Sequence, residues 1–125
     1  MDTNINEIRV NGVDYIRKDS VKDKQQAVSN DGLPYVVIRS RDSGCHAGYL
    51  ESEDGTTVVL VNSRRLYYWD GAATLSQLAE EGVKSPENCK FPQPVTRITV
   101  YSICEKIEAT EECRKSIENV SIWKK

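Results

Sequence analysis

The chain has 125 residues, 38% hydrophobic and 29% charged, with a formal net charge of −2. That balance suits one soluble globular core and supplies no basic field for duplex nucleic acid. No run approaches the roughly 18 apolar residues of a membrane span, and the polar start is no secretory leader, so a cytoplasmic protein without membrane contact is expected.

Glu7 to Ile16 reads as a β-hairpin around Asn11-Gly12, a pair that accepts the positive φ angles of a tight turn. Residues 1–17 are assigned to this hairpin and 18–33 to a polar, lysine-rich linker. Ser20 can cap a short helix through Gln25-Gln26-Ala27, with a linker as the alternative. Residues 34–125 form the α+β core domain.

In that core, Tyr35-Val36-Val37-Ile38 is a β-branched strand running into Arg39-Ser40-Arg41, and Asp42-Ser43-Gly44 turns the chain. Cys45 to Ser52 and Thr56 to Asn62 follow as strands around Asp54-Gly55. A two-residue loop there places Leu50 opposite Val59 and Tyr49 opposite Leu60. A further strand is expected over Leu66 to Trp69. Thr74-Leu75-Ser76-Gln77 reads as a capping box opening a helix that buries Leu75, Leu78 and Ala79 and stops at Gly82. Residues 84–94, with Pro86, Pro92 and Pro94, form an irregular loop, and Val95 to Ile107 is the longest strand pattern. A helix follows Thr110, with Cys113, Ile117 and Val120 on one face, and Trp123 docks the tail. The expected fold is α+β: a mostly antiparallel sheet or meander, two short helices and the N-terminal hairpin.

Four cysteines (Cys45, Cys89, Cys104, Cys113) form no CxxC pair, and the one histidine, His46, follows Cys45 directly, so no metal site is expected. Free thiols fit a reducing compartment. No phosphate-binding glycine loop, no zinc-protease motif and no serine-hydrolase elbow is present. His46 is the only general acid or base of its type, and no spacing supplies it with a nucleophile. Neither an enzyme nor a cofactor is expected.

The remaining constellations suit a ligand. Arg64-Arg65 precedes Tyr67-Tyr68-Trp69 and a helix start, joining guanidinium forks and aromatic faces in one window. The same residues equally describe a core or a subunit interface. Arg39 and Arg41 lie at a strand end beside a turn, as an anion site or as a charged strand edge. Asn88-Cys89-Lys90-Phe91 offers an amide, a cation and a ring, although Phe91 equally serves as a core plug.

The run from about Tyr35 to Trp123 resembles the Thoeris anti-defence family of phage proteins, the first of its two types. The resemblance rests on Ala47-Gly48-Tyr49-Leu50-Glu51-Ser52, on Arg64-Arg65-Leu66-Tyr67-Tyr68-Trp69-Asp70-Gly71-Ala72-Ala73, on Leu75-Ser76-Gln77-Leu78-Ala79 and on Asn88-Cys89-Lys90-Phe91. It implies a non-enzymatic sponge that binds cyclic ADP-ribose signals, and in some members cyclic oligonucleotides, and withholds them from an immune effector. It also implies dimers or hexamers with pockets between protomers, acting in the cytoplasm of an infected bacterial host. At the matching segments, chemistry nominates Arg39, Arg41, Arg64 and Arg65 for phosphate, Trp69 and Phe91 for stacking, and His46, Gln77 and Asn88 as polar contacts. The rival reading is a phage protein that inhibits a host protein through an aromatic and arginine surface patch.

Overall fold

Residues 25–124 are described by a computed structural model; the expected hairpin and Ser20 lie outside the described residues. Alternating apolar residues build the sheet, and turns with positive φ join it. The elements are β1 (Tyr35–Ser40), β2 (Gly44–Asp54), β3 (Thr57–Arg65), α1 (Leu75–Glu81), a short 3-10 turn (Pro86–Asn88), β4 (Val95–Val100), β5 (Ile103–Glu108) and α2 (Glu111–Asn119). The pairings within the described sheet are antiparallel, in the order β4-β3-β2-β1-β5. The fold is α+β, as the pattern of strands and helices requires.

Successive strand residues face opposite sides, so the sheet has two apolar faces. Tyr35, Val37, Cys45 and Ala47 join Leu75, Leu78, Ala79, Phe91, Cys113 and Ile117 in the larger core beneath both helices. Val36, Ile38, Val58, Leu60 and Val100 form a second core on the other face. Among the described residues no helix covers that second face; the sheet covers it by curling. A flat five-stranded sheet would hold its outer strands about 19 Å apart. Val100 and Ile103 belong to those outer strands, yet only Tyr101 and Ser102 separate them, a reach of about 11 Å at most. The backbone N–H of Ile103 donates to the Thr56 carbonyl at 2.9 Å, and Lys106 Nζ meets Glu53 Oε1 at 2.6 Å, which ties β5 to the β2–β3 hairpin. The second core is therefore the inside of a partly closed barrel.

Four expectations are corrected by this geometry. Val95 to Ile107 is not one strand: Ser102 adopts φ 58° and sends the chain from one edge of the sheet to the other. Leu66 to Trp69 is not a strand either, since only Tyr68 bridges, to Lys90. The β2–β3 register differs as well. Leu50 faces Leu60 and Tyr49 faces Val61, because Asp54 pairs with Thr57 and Glu51 is an extra residue in the ladder. Finally, Gln25-Gln26-Ala27 is not helical. Ala27 is fully buried, its N–H donates to the Ala109 carbonyl at 2.9 Å, and Gln26 bridges Thr110. The Ala27 carbonyl accepts from Tyr35 N at 2.8 Å, so both backbone groups of this buried residue are paired.

The helix ends follow their sequence signals. Thr74 Oγ1 accepts from Gln77 N at 3.1 Å, and Gln77 Oε1 accepts from Ala73 N at 2.9 Å. Thr110 Oγ1 accepts from Cys113 N at 3.1 Å and donates to the Glu80 carbonyl at 2.7 Å, so one hydroxyl caps α2 and fastens it to α1. Gly82, at φ 78°, lets the helices approach: a Cβ there would lie 2.4 Å from Ser116 Cβ.

Candidate functional site

A bulge in β3 decides where the arginine pair goes. Asn62 takes φ 49°, a left-handed conformation that asparagine tolerates, and two residues, Asn62 and Ser63, sit where β2 offers only Gly48. An extra residue reverses which face each later side chain meets. Ser63 and Arg65 consequently turn to the barrel side, and Arg64 to the helices. Gly48 accommodates the bulge, since a Cβ there would lie 3.0 Å from both Ser63 Cα and Ser63 Cβ.

Arg64 is thereby a core residue, only 4% exposed. Its Nε donates to the Pro92 carbonyl at 2.9 Å, its Nη1 to the Ile117 carbonyl at 2.7 Å and its Nη2 to the Phe91 carbonyl at 3.0 Å. The guanidinium carbon also sits 5.6 Å from the centre of the Phe91 ring. Its fork is committed to three carbonyls, and Phe91 is completely buried. Arg64 also borders a small cavity of about 90 Å³ with Tyr35, Asn62, Pro94, Ile117 and Glu118. Together Arg64 and Phe91 hold the 90–93 loop against the C-terminal end of α2.

Three other expected contacts also serve the fold. Gln77 caps α1, as above, and Asn88 Nδ2 donates to Asp70 Oδ2 at 2.9 Å. Trp69 is half-buried and packs on the larger core. Arg39 lies exposed on β1, its Nε 3.1 Å from Glu105 Oε1, and that hydrogen bond raises its pKa; Arg41 is exposed on the following turn. These groups do not converge on one pocket.

His46 and Arg65 do come together. They are register partners across β2 and β3, and both address the Ser43 carbonyl, His46 Nε2 at 3.1 Å and Arg65 Nη1 at 2.8 Å. A carbonyl only accepts, so Nε2 carries the ring proton. With Ser63, Pro92, Gln93, Val95 and Ile98 they line a cavity of about 150 Å³ at one end of the barrel. Ser63 and Gln93 were invisible to sequence reasoning, because only the Asn62 bulge and the Arg64 anchor bring them there.

His46 is 1% exposed, and burial first, then the neighbouring Arg65 charge, lowers its pKa below the ordinary 6.5. The unfolded chain therefore takes up this proton at a higher pH than the folded one. The resulting stability is present above pH 6.5 and is lost as pH falls toward the folded pKa. Urea midpoints measured at about pH 7.5 and about pH 5.5 should drop less for His46→Gln than for the parent chain; equal drops would contradict this burial. Burial also raises the thiol pKa values of Cys45 and Cys89 and pushes that of Cys113 up to about 12. These buried thiols stay protonated at neutral pH and are poor nucleophiles.

A second feature lies on the surface. Tyr67 is 63% exposed and Tyr68 51%. The Tyr67 and Trp123 rings stack with centres 5.2 Å apart and planes within 6°. Lys90 Nζ stands 5.8 Å from the centre of the Tyr68 ring and 5.7 Å from that of Trp123. The tail is placed by Trp123 N–H, which donates to the Phe91 carbonyl at 3.0 Å, and by a bridge from Ile122 to Phe91. Arg64 thus anchors the loop that carries both Lys90 and Gln93. The expected docking of Trp123 is observed, and its partner is an exposed ring rather than the core.

Among the described residues, no helix is long and apolar enough to cross a membrane, and no cluster of histidine, cysteine and carboxylate side chains is arranged to hold a metal ion. No curated protein and no solved structure matches the chain. Residues 33–117, which carry the five described strands, the lining of the barrel-end cavity and most of α2, match the family described as a domain of unknown function (DUF6948), and the chain belongs to that family.

Proposed function

We propose that this protein is a non-enzymatic binder that captures a cyclic nucleotide signal, of the cyclic ADP-ribose or cyclic oligonucleotide kind, and withholds it from a host effector. The resemblance to the Thoeris anti-defence family suggests the ligand class and the setting, the cytoplasm of an infected bacterium. The supporting observation is the exposed face of Tyr67, Tyr68, Trp123 and Lys90, in which an ammonium group stands beside stacked rings. Rings of this kind hold a base by stacking, and a cation beside them meets a phosphate.

That face is open. Nucleotide-sized ligands usually need pockets of about 300–1,000 Å³, well above the 150 Å³ barrel-end cavity. Enclosure by a second copy of the chain answers this shortage, in keeping with a homodimer or hexamer. Sequestration asks for affinity and slow release, not for a nucleophile or a base.

The test is to incubate the protein with cyclic ADP-ribose isomers and with cyclic di- and trinucleotides, separate it from free ligand, heat-denature it and analyse what is released. Intact ligand supports capture; a cleaved product would overturn it in favour of an enzyme. Uptake of none of them would favour the other reading, inhibition of a host protein through the same patch, to which the exposed Ile122 adds apolar surface. Base stacking contributes about 1–3 kcal/mol, so Tyr67→Ala should weaken uptake at least about fivefold while leaving the thermal midpoint nearly unchanged.

A further inference from the structure

The second core is built from Val36, Ile38, Val58, Leu60 and Val100, and near the 92–93 loop the polar side chains of His46 and Ser63 are buried. There Ser63 is 2% exposed, and its Oγ is the one buried side-chain nitrogen or oxygen among the described residues that lacks a hydrogen-bond partner. A buried hydroxyl without a partner is costly, and native structures rarely keep one without a reason. Ser63 lines the 150 Å³ cavity together with His46, Arg65 and Gln93, and with apolar Pro92, Val95 and Ile98.

We propose that this cavity is a binding site for a phosphate-sized oxyanion, either free phosphate or the phosphate group of a nucleotide. The lining is rich in donors: the Ser63 hydroxyl, the Gln93 amide and the Arg65 guanidinium. Arg65 has five N–H groups, and its Nη1 bond to the Ser43 carbonyl leaves others for a ligand. No carboxylate lines the cavity. Burial keeps His46 uncharged at neutral pH, so Arg65 is the only charge present, and it is positive. A guanidinium beside hydroxyl and amide donors is the chemistry that recognises tetrahedral oxyanions.

Size agrees with charge. At about 30 Å³ per water, 150 Å³ holds about five waters, which suits a group of four oxygens around one phosphorus and is too small for a whole nucleotide. Of the lining residues Arg65, Gln93 and Val95 are exposed, so the cavity meets the surface and a phosphate still attached to a larger molecule can enter while the remainder stays outside. The site requires nothing from the aromatic face, and it does not rest on the capture of a cyclic signal.

The experiment is an amide chemical-shift titration of the full chain with sodium phosphate, with sodium chloride at matched ionic strength, and with adenosine monophosphate. Saturable shifts at His46, Ser63 and Arg65 in phosphate but not in chloride are expected. Tighter binding of adenosine monophosphate than of phosphate assigns a nucleotide as the source; equal or weaker binding assigns free phosphate. Ser63→Ala should lose affinity at least tenfold, yet raise Tm in phosphate-free buffer by about 3 °C, because it removes an unpartnered buried hydroxyl. Arg65→Gln should lose affinity to a similar extent. Equal shifts in chloride, parental affinity in Ser63→Ala, or a lowered Tm in that variant would each overturn the proposal, the last because the hydroxyl would then be serving the fold.

Discussion

Replacing Arg64 with methionine should destabilise the protein by about 3 kcal/mol, read as a fall in the guanidinium-chloride midpoint at an unchanged slope. The substitution removes all three guanidinium hydrogen bonds; the Phe91 and Ile117 carbonyls keep the backbone donors Trp123 N–H and Val120 N–H, the Pro92 carbonyl loses the guanidinium donor, and an unmet buried polar group costs about 1–3 kcal/mol. Some of that is recovered by local relaxation and by the apolar methionine. Arg64→Lys should recover less than half of the loss, because an ammonium group cannot present the three-pronged planar fork that these carbonyls meet. A surface arginine waiting for a ligand would behave otherwise, with a change within about 0.5 kcal/mol and an effect only on binding. Parental stability in Arg64→Met would refute the core assignment. The same substitution should loosen the 90–93 loop, and with it both Lys90 and Gln93.

Gly71→Ala is expected to cost about 3 kcal/mol or more, measured in the same way. Gly71 has φ 96°, outside the range a side chain adopts easily, and a Cβ there would lie 2.4 Å from Lys84 N and 2.6 Å from Ser85 N. Those neighbours are backbone atoms and cannot swing aside as a flexible side chain would. The Lys84 N–H also donates to the Gly71 carbonyl at 3.3 Å, so the two segments are held face to face. By contrast Gly55, at φ 61° in the β2–β3 turn, has open space where a Cβ would go and should tolerate alanine much better. Equal losses at the two glycines would show that φ alone, and not the close approach, governs Gly71.

These two residues lie in the segment that the sequence marks most strongly, from Arg64 to Ala73, and their roles separate what was legible there from what was not. An unusual density of arginine, aromatic and glycine residues is visible in the sequence. Whether each side chain turns inward or outward is not, because that depends on the phase of β3, which one bulge resets. Arg64 and Arg65 are chemically identical neighbours, yet one is buried against three carbonyls and the other is exposed beside His46. A strand over Leu66 to Trp69 would put Tyr67 and Trp69 on one face. Without a strand over 66–69 that alternation has no basis, and it is Tyr67 and Tyr68 that are exposed while Trp69 packs on the core.

Local signals transferred well. The Thr74 and Thr110 caps, the Gly82 stop and the strand of Tyr35 to Ser40 all depend on interactions within a few residues, which a sequence displays directly. Long-range placement did not transfer. The unbroken β pattern from Val95 to Ile107 hides a two-residue crossing, because both halves alternate correctly and only pairing with opposite edges reveals the break. Ala27 gives no sign in its polar surroundings that it fills a core position, and the cavity joins His46 to Gln93 from segments far apart in the chain.

By itself, then, the sequence determined an α+β chain with two capped helices, its turns and the stock of arginines and rings from which any ligand site must be drawn. Tertiary structure alone decided the curl of the sheet, the inward turn of Arg64 and Ser63 and the outward turn of Tyr67. The physical reason is that capping and turn preferences are local energies, whereas facing and closure depend on strand register, and a single left-handed residue at Asn62 shifts that register for every side chain beyond it.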